Sequence, residues 1–334
     1  MRTTLLLSVL LACGPKATPG PSAGADSASA DDSASGDDSA SGDDSASADS
    51  GQPEPTAWLD LAYTPPPGVD SRVATLDLYQ RPGDEPQPLV VLIHGGSWVG
   101  GDKANFADAA PDFIPWWLDR GYTVAAVNFR LASPISQALT VSPKDQAADI
   151  AHALAWLHGH AGEYGLSTQG SVLLGYSSGA HLVALLGADG SYVEAAGLSE
   201  QSIAATISLD VHVYDVPYAL SLMVDSDVED NIPLIEHLFG DTEAAQLSAS
   251  PIAFTDGWVA PAMLVSVGPA EDRPGTHGYI VDQTARHYAE ALQTAGHEAT
   301  TFHDPNESHD SLAIGFGAAG DAVTAQVEAF LSAQ

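Results

Sequence analysis

Short runs rich in apolar residues alternate with longer amphipathic stretches over most of the chain. Apolar runs rich in β-branched residues are typical of strands that are buried on both faces of a parallel sheet. Strands are predicted at residues 72–79, 89–93, 122–129, 171–174, 204–209, 262–267 and 298–302, and helices at 106–119, 144–160, 180–186 and 283–295. This alternation predicts an α/β fold, a mainly parallel sheet with helices on both faces.

The N-terminus follows a different pattern. After a basic start, residues 5–11 form an apolar run of the length used in export signals, which is too short to span a bilayer. Leu10-Leu11-Ala12-Cys13 resembles a bacterial lipoprotein cleavage box, and Cys13 is the only cysteine of the chain. We therefore expect residues 1–12 to be a lipoprotein-type signal peptide and Cys13 to be lipidated, which would anchor an exported protein to a membrane. An ordinary signal peptide is the alternative.

Residues 13–56 contain no apolar pattern. The hexapeptide Asp-Asp-Ser-Ala-Ser-Gly at 31–36 recurs at 37–42. Such a repeat buries nothing, so a disordered linker is predicted, followed by one catalytic domain at residues 57–334.

The charge of the chain is strongly negative, with 44 acidic residues against 10 basic ones and a formal net charge of −34. This excess makes nucleic acid and anionic membrane surfaces poor partners, apart from contact through a lipid anchor. The same charge would disfavour anionic substrates.

The most informative motif is Gly175-Tyr176-Ser177-Ser178-Gly179, which lies between a predicted strand and a predicted helix. This G-x-S-x-G setting places a serine on a sharp turn with its hydroxyl exposed. Side chains at Gly175 and Gly179 would collide with the neighbouring strand and helix. Ser177 is therefore the predicted nucleophile.

A second glycine-containing loop, Gly95-Gly96-Ser97-Trp98, follows the predicted strand 89–93. Adjacent glycines let backbone N–H groups approach a developing negative charge. The Gly95–Ser97 backbone, with Gly96 or Ser97 as donor, and the N–H of Ser178 are the predicted oxyanion hole. An ordinary tight turn is the alternative. Trp98 could contact the substrate or, equally, pack in the core.

A serine nucleophile needs a histidine base and a carboxylate that orients the base. In this type of sheet the chain order is serine, acid, histidine. Asp272 follows the predicted strand 262–267 and is the predicted acid, with Glu271 as the alternative. His309, in a polar loop after the last strand, is the predicted base, with His303 as its rival.

Residues 87–186 resemble α/β-hydrolases of the esterase and lipase branch. The similarity lies in the runs 91–103, 121–131 and 145–164. The chain is most similar to bacterial carboxylesterases and feruloyl-esterase-like sequences of the BD-FAE type, to which kynurenine formamidases are related. The resemblance implies an α/β-hydrolase fold and carries over Ser177, Asp272 and His309 as its triad. It also implies a small cap at 211–258, where residues 225–230 form an acidic patch that is either a solvated loop or a cation site.

The function that this resemblance implies is hydrolysis of small-molecule carboxylic esters through an acyl-enzyme. The chemistry requires no metal and no organic cofactor. Two alternatives remain open. One is an arylformamidase-like amidohydrolase with the same machinery, and the other is a non-catalytic surface-binding protein on the same scaffold.

Overall fold

The computed structural model describes residues 53–269 and 274–334, in which the apolar runs of the sequence form an eight-stranded sheet. The strands are β1 (Thr56–Ala62), β2 (Thr75–Gln80), β3 (Leu89–Ile93), β4 (Thr123–Val127), β5 (Ser171–Tyr176), β6 (Ile203–Leu209), β7 (Ala262–Val267) and β8 (Ala299–Asp304). Their order across the sheet is β1-β2-β4-β3-β5-β6-β7-β8. The pairs that involve β1 and β2 are antiparallel, and all the others are parallel.

Helices connect the strands and cover the sheet. They are α1 (Asn105–Asp108), α2 (Phe113–Leu118), α3 (Pro143–Gly159), α4 (Ala161–Tyr164), α5 (Ser178–Ala188), α6 (Ser191–Ala195), α7 (Val216–Met223), α8 (Ile232–Phe239), α9 (Glu243–Leu247), α10 (His277–Thr294), α11 (His309–Gly315) and α12 (Ala322–Ser332). Short 3₁₀ helices lie at Ser71–Val73, Glu200–Ser202, Glu229–Asn231 and Pro251–Phe254. The parts of the chain that the structure describes include no helix long and apolar enough to cross a membrane.

The sheet divides the core into two layers, as alternation along a strand requires. In β3, Leu89, Val91 and Ile93 pack into one layer, and Val90 and Leu92 pack into the other. Helices α3, α5 and α10 contribute to the first layer, while α2 and α12 contribute to the second. The predicted α/β architecture, with helices on both faces, is therefore confirmed.

Two sequence predictions differ from the structure in detail. The helix expected at 106–119 is two helices, α1 and α2, because Pro111 between them cannot continue a helical hydrogen-bond ladder. Strand β1 was not predicted, since its residues are mostly exposed and its pairing with β2 is interrupted. Asp60, with φ of 56°, lies at that interruption.

The segment predicted as a cap, 211–258, holds α7, α8 and α9. Its apolar side chains do not stand apart from the domain. Met223, Ile235, Leu238 and Phe239 are buried in the same layer as α3 and α5. The predicted signal peptide, Cys13 and most of the linker lie outside the described residues.

Candidate active site

The candidate nucleophile occupies a strained turn between β5 and α5. Ser177 has φ of 55° and ψ of −123°, a conformation that side-chain-bearing residues rarely adopt. A Cβ at Gly179 would lie 2.1 Å from the carbonyl oxygen of Ile93 in β3, and one at Gly175 would lie 2.1 Å from the carbonyl oxygen of Gly179. Both glycines are thus needed for close packing of the turn, as the sequence predicts.

The imidazole of His309 lies beside this serine. His309 is the first residue of α11, which Ser308 caps through its side chain. Its Nε2 is 3.1 Å from Oγ of Ser177, a hydrogen-bond distance. The ring also stacks on Tyr176, with centroids 4.9 Å apart, and the Tyr176 hydroxyl donates to the His309 carbonyl oxygen at 2.8 Å. These contacts hold the ring with Nε2 toward the serine.

The carboxylate at the other ring nitrogen belongs to Asp210. Its Oδ2 lies 2.6 Å from Nδ1 of His309, and its Oδ1 accepts a hydrogen bond of 3.0 Å from the backbone N–H of Val267. Asp210 follows β6 directly, with φ of 59° and a fully buried side chain. Burial alone would raise the pKa of Asp210, but hydrogen bonds from His277 and His309 hold it well below its usual range. The group is therefore a carboxylate at neutral pH.

Sequence reasoning did not single out Asp210. Its choice, Asp272, and the alternative Glu271 lie outside the described residues. The signal that could have found it is its position, since Asp210 directly follows a buried strand and comes after Ser177 and before His309 along the chain. An acid after any strand that lies between Ser177 and His309 along the chain satisfies the same chain order.

The loop after β3 approaches the nucleophile closely. A Cβ at Gly95 would lie 2.9 Å from Cβ of Ser177. Gly96 and Ser97 both have positive φ, 124° and 54°. Among the described residues, the backbone N–H groups of Ser97 and Ser178 donate to no protein acceptor. Free N–H groups beside a serine can stabilise an oxyanion, and the oxyanion hole stays a prediction for these residues.

Trp98 and His181 pack together in the core beneath the site. The Trp98 side chain is buried and meets His181 and Phe239 edge to face. Its Nε1–H points at Nδ1 of His181 from 3.4 Å, and Nε2 of His181 donates to the Ala249 carbonyl oxygen at 2.8 Å. Burial lowers the pKa of His181 to about 4, so its ring is neutral. The burial of Trp98 fits core packing, which the sequence offered as the alternative to contact with substrate.

The rival base, His303, belongs to a different cluster. Its Nδ1 lies 2.9 Å from Oγ of Ser266 and 3.8 Å from Oδ1 of Asp282. The hydroxyl and the carboxylate thus approach the same ring nitrogen. A proton relay needs them at opposite nitrogens, so this cluster is not a second triad.

A second histidine shares the Asp210 carboxylate. Nε2 of His277, the first residue of α10, lies 2.8 Å from Oδ2 of Asp210. Asp210, His277 and His309 form the group of potential metal ligands found in the described part of the chain, with ligand atoms within 4.8 Å of one another. Sequence reasoning did not single out His277, because its partner is distant along the chain.

The strand order and the strained serine turn define an α/β-hydrolase fold. The BD-FAE family model matches residues 76–270, which is more than half of the chain. The chain therefore belongs to the BD-FAE family, in the bacterial α/β-hydrolase carboxylesterase branch.

Named relatives agree with this assignment. Esterase LipQ of Mycobacterium tuberculosis is 23% identical over 256 residues, which are 73% of this chain and 56% of LipQ. The probable carboxylic ester hydrolase LipM of the same organism is 30% identical over 129 residues, which are 38% of this chain and 27% of LipM. This chain thus spans about a quarter to just over half of the length of these curated relatives.

Solved structures show the same fold. Esterase B from Lactobacillus Rhamnosis (HN001) superposes with a TM-score of 0.63 at 18% identity, covering 84% of this chain and 84% of that one. A truncated carbohydrate esterase from gut microbiota gives a TM-score of 0.63 at 17% identity, covering 83% of this chain and 95% of that one. At these identities the likeness concerns the fold.

Proposed function

We propose that this protein is a serine hydrolase that cleaves small-molecule carboxylic esters with Ser177 as nucleophile, His309 as base and Asp210 as the orienting acid. The observation that carries the proposal is one continuous chain of contacts. It runs from Oγ of Ser177 to Nε2 of His309 at 3.1 Å and from Nδ1 of His309 to Oδ2 of Asp210 at 2.6 Å. A buried carboxylate that holds the Nδ1–H tautomer leaves Nε2 free to take the serine proton.

The reaction then follows from the positions of these groups. Ser177 attacks the ester carbonyl while His309 accepts its proton, and the Asp210 carboxylate stabilises the resulting imidazolium. The N–H groups of Ser178 and of Gly96 or Ser97 receive the oxyanion, and loss of one such donor would raise the barrier by roughly 2.7–4 kcal/mol. His309 returns the proton to the leaving alcohol. Water repeats the sequence on the acyl-enzyme, and none of these steps uses a metal or cofactor.

The comparisons support esters as the substrate class. LipQ and LipM are both described as ester hydrolases, and esterase B has been determined with a tributyrin phosphonate inhibitor. Phosphonates mimic the tetrahedral intermediate of acyl transfer. A small ester is therefore the substrate that we propose here.

The test is a pair of activity measurements on the full chain. Wild type should hydrolyse p-nitrophenyl acetate and react with a fluorophosphonate probe, and S177A should lose both properties. Turnover of N-formylkynurenine in preference to the ester would instead indicate an arylformamidase. Absence of both hydrolysis and labelling in folded wild type would indicate a non-catalytic protein and refute the proposal.

We also propose that the protein is exported and anchored through a lipid on Cys13. The support is the cleavage-box motif with the only cysteine of the chain directly after the apolar run. In a bacterial host fed an alkyne fatty acid, wild type should carry the label and sediment with membranes. C13S should be unlabelled, and an equal label in both proteins would refute the anchor.

A further inference from the structure

The Asp210 carboxylate serves two imidazoles at once. His309 Nδ1 and His277 Nε2 approach the same oxygen, Oδ2, at 2.6 and 2.8 Å. The two rings are 5.3 Å apart between centroids and nearly perpendicular, at 76°. With the Val267 N–H on Oδ1, the carboxylate has three donors. The relay from Ser177 needs only one of the two imidazoles.

The position of His277 is fixed by its backbone. His277 opens the 18-residue helix α10, which Thr276 caps by accepting from the N–H of Tyr279. The next residue, Gly278, packs so tightly on the loop after β7 that a Cβ there would lie 2.6 Å from the carbonyl carbon of Gly268. The helix start is thereby held against the carboxyl end of β7. Nε2 of His277 consequently reaches the same oxygen of Asp210 that Nδ1 of His309 contacts.

The spacing of the three groups fits shared protons better than a shared metal ion. Ligand atoms bound to one tetrahedral Zn²⁺ at 2.0–2.1 Å stand about 3.3 Å apart. The two nitrogen–oxygen distances here, 2.6 and 2.8 Å, are shorter than that and are normal for charge-assisted hydrogen bonds.

The surroundings of His277 are acidic. The negative charges of Asp210, Asp227 and Asp310 all favour the protonated form of His277. Asp227 is held nearby because its N–H donates to the Gly275 carbonyl oxygen at 2.8 Å. Burial alone would lower the pKa of His277, but these carboxylates raise it overall. The ring of His212, 6.3 Å away, is neutral because burial lowers its pKa to about 3. The N-terminal end of α10 opposes a positive charge on its first residue.

We propose that His277 is a positioning residue of this esterase, which holds the Asp210 carboxylate through Nε2–H and, once protonated, weakens the support that Asp210 gives to His309. The proposal rests on the function proposed above. Acylation creates an imidazolium on His309, and a second cation about 5 Å away on the same carboxylate opposes it. The enzyme is then fully active only with His277 neutral. The acidic run 225–230, which supplies Asp227, tunes that ionisation.

The test compares H277Q and H277A with wild type on p-nitrophenyl acetate between pH 5 and 9. A glutamine amide can donate to Asp210 from the position of Nε2 but does not titrate. At pH 8.5 we expect H277Q to keep kcat within about threefold of wild type and H277A to lose about 10- to 100-fold in kcat with little change in KM. On the acidic side, the fall in kcat/KM of wild type should fit two ionisations and should begin at a higher pH than the fall in H277Q. The profile of H277Q should fit a single ionisation.

The matched control is H287Q. His287 lies on the same helix, and its Nε2 is 3.2 Å from Oδ2 of Asp215. This variant should keep the wild-type pH profile. Identical profiles in wild type and H277Q, with full activity in H277A, would overturn the inference. The inference would also be overturned if EDTA removed the activity of wild type and Zn²⁺ restored it, while the activity of H277Q did not respond to either. In either case, labelling of Ser177 by the fluorophosphonate shows that the esterase proposal itself survives.

Discussion

Oδ2 of Asp210 lies 2.6 Å from Nδ1 of His309, and Asp210 directly follows β6, which pairs with β5, the strand that precedes Ser177. Replacing this carboxylate by an amide removes the charge that stabilises the imidazolium and presents the wrong tautomer to the serine. We expect D210N to lower kcat by about 10³- to 10⁴-fold. Steady-state hydrolysis of p-nitrophenyl acetate, with folding checked by circular dichroism, measures the loss.

The control for this prediction is D272N, because Asp272 is the acid that the sequence predicts. D272N and E271Q should each keep kcat within about threefold of wild type, since neither carboxylate is needed if Asp210 orients the base. A loss in D272N as large as that in D210N would assign the acid to the loop after β7 and contradict the role proposed for Asp210.

Features that depend on one short segment of the sequence were predicted well, and features that depend on contacts between distant segments were not. Strands β3 and β7 were predicted residue for residue, because β3 is entirely apolar and β7 is apolar apart from Ser266, as is typical of strands buried on both faces. The serine turn was equally local, with its glycines and strand in one segment. The acid has no such signature, since a single aspartate after a strand is common in a chain this acidic. Its identity depends on which loop the fold brings to His309, and the sequence alone does not contain that distance.

The glycine at position 179 gives a prediction about packing. A methyl group there would lie 2.1 Å from the Ile93 carbonyl oxygen, so the turn must move away from β3. We expect G179A to lower the free energy of unfolding by about 1–3 kcal/mol and to reduce kcat at least tenfold, because the shift displaces Ser177. Urea denaturation and ester hydrolysis provide the two measurements.

Gly159, at the end of α3, is the matched control, since a Cβ there meets nothing within 4 Å. G159A should leave kcat unchanged and stabilise the fold by up to about 1 kcal/mol, because alanine is favoured over glycine in a helix. Equal effects of the two substitutions would show that the turn around Ser177 tolerates a side chain at position 179.

Lys103 and Asp77 form an ion pair with both side chains buried. Nζ of Lys103 lies 2.7 Å from Oδ1 of Asp77, and the side chains are only 7% and 4% exposed. K103M would leave the Asp77 carboxylate buried without its cation. We therefore expect the free energy of unfolding to be about 3–5 kcal/mol lower than in wild type. The exposed pair of Arg72 and Asp70 is the control, and R72M should change stability by no more than about 1 kcal/mol. A small effect in both variants would mean that water reaches Asp77 once Lys103 is gone.

The contact between His277 and Asp210 makes the stability of the protein depend on pH. The His277 side chain is 32% exposed and pairs with the fully buried Asp210, which raises the pKa of His277 above its ordinary value of 6.5 in the folded state. A raised folded-state pKa means that the folded protein binds the proton more tightly than the unfolded chain does. The pairing therefore contributes its full stability below pH 6.5, and the contribution is lost as the pH rises through the folded-state value. We expect wild type to exceed H277Q in Tm at pH 6 and the difference to shrink steadily toward pH 9, where only a neutral hydrogen bond, which glutamine also provides, remains. Thermal unfolding followed by circular dichroism at half-unit pH steps measures it, and a difference that stays constant across this range would show that His277 does not carry a proton when it contacts Asp210.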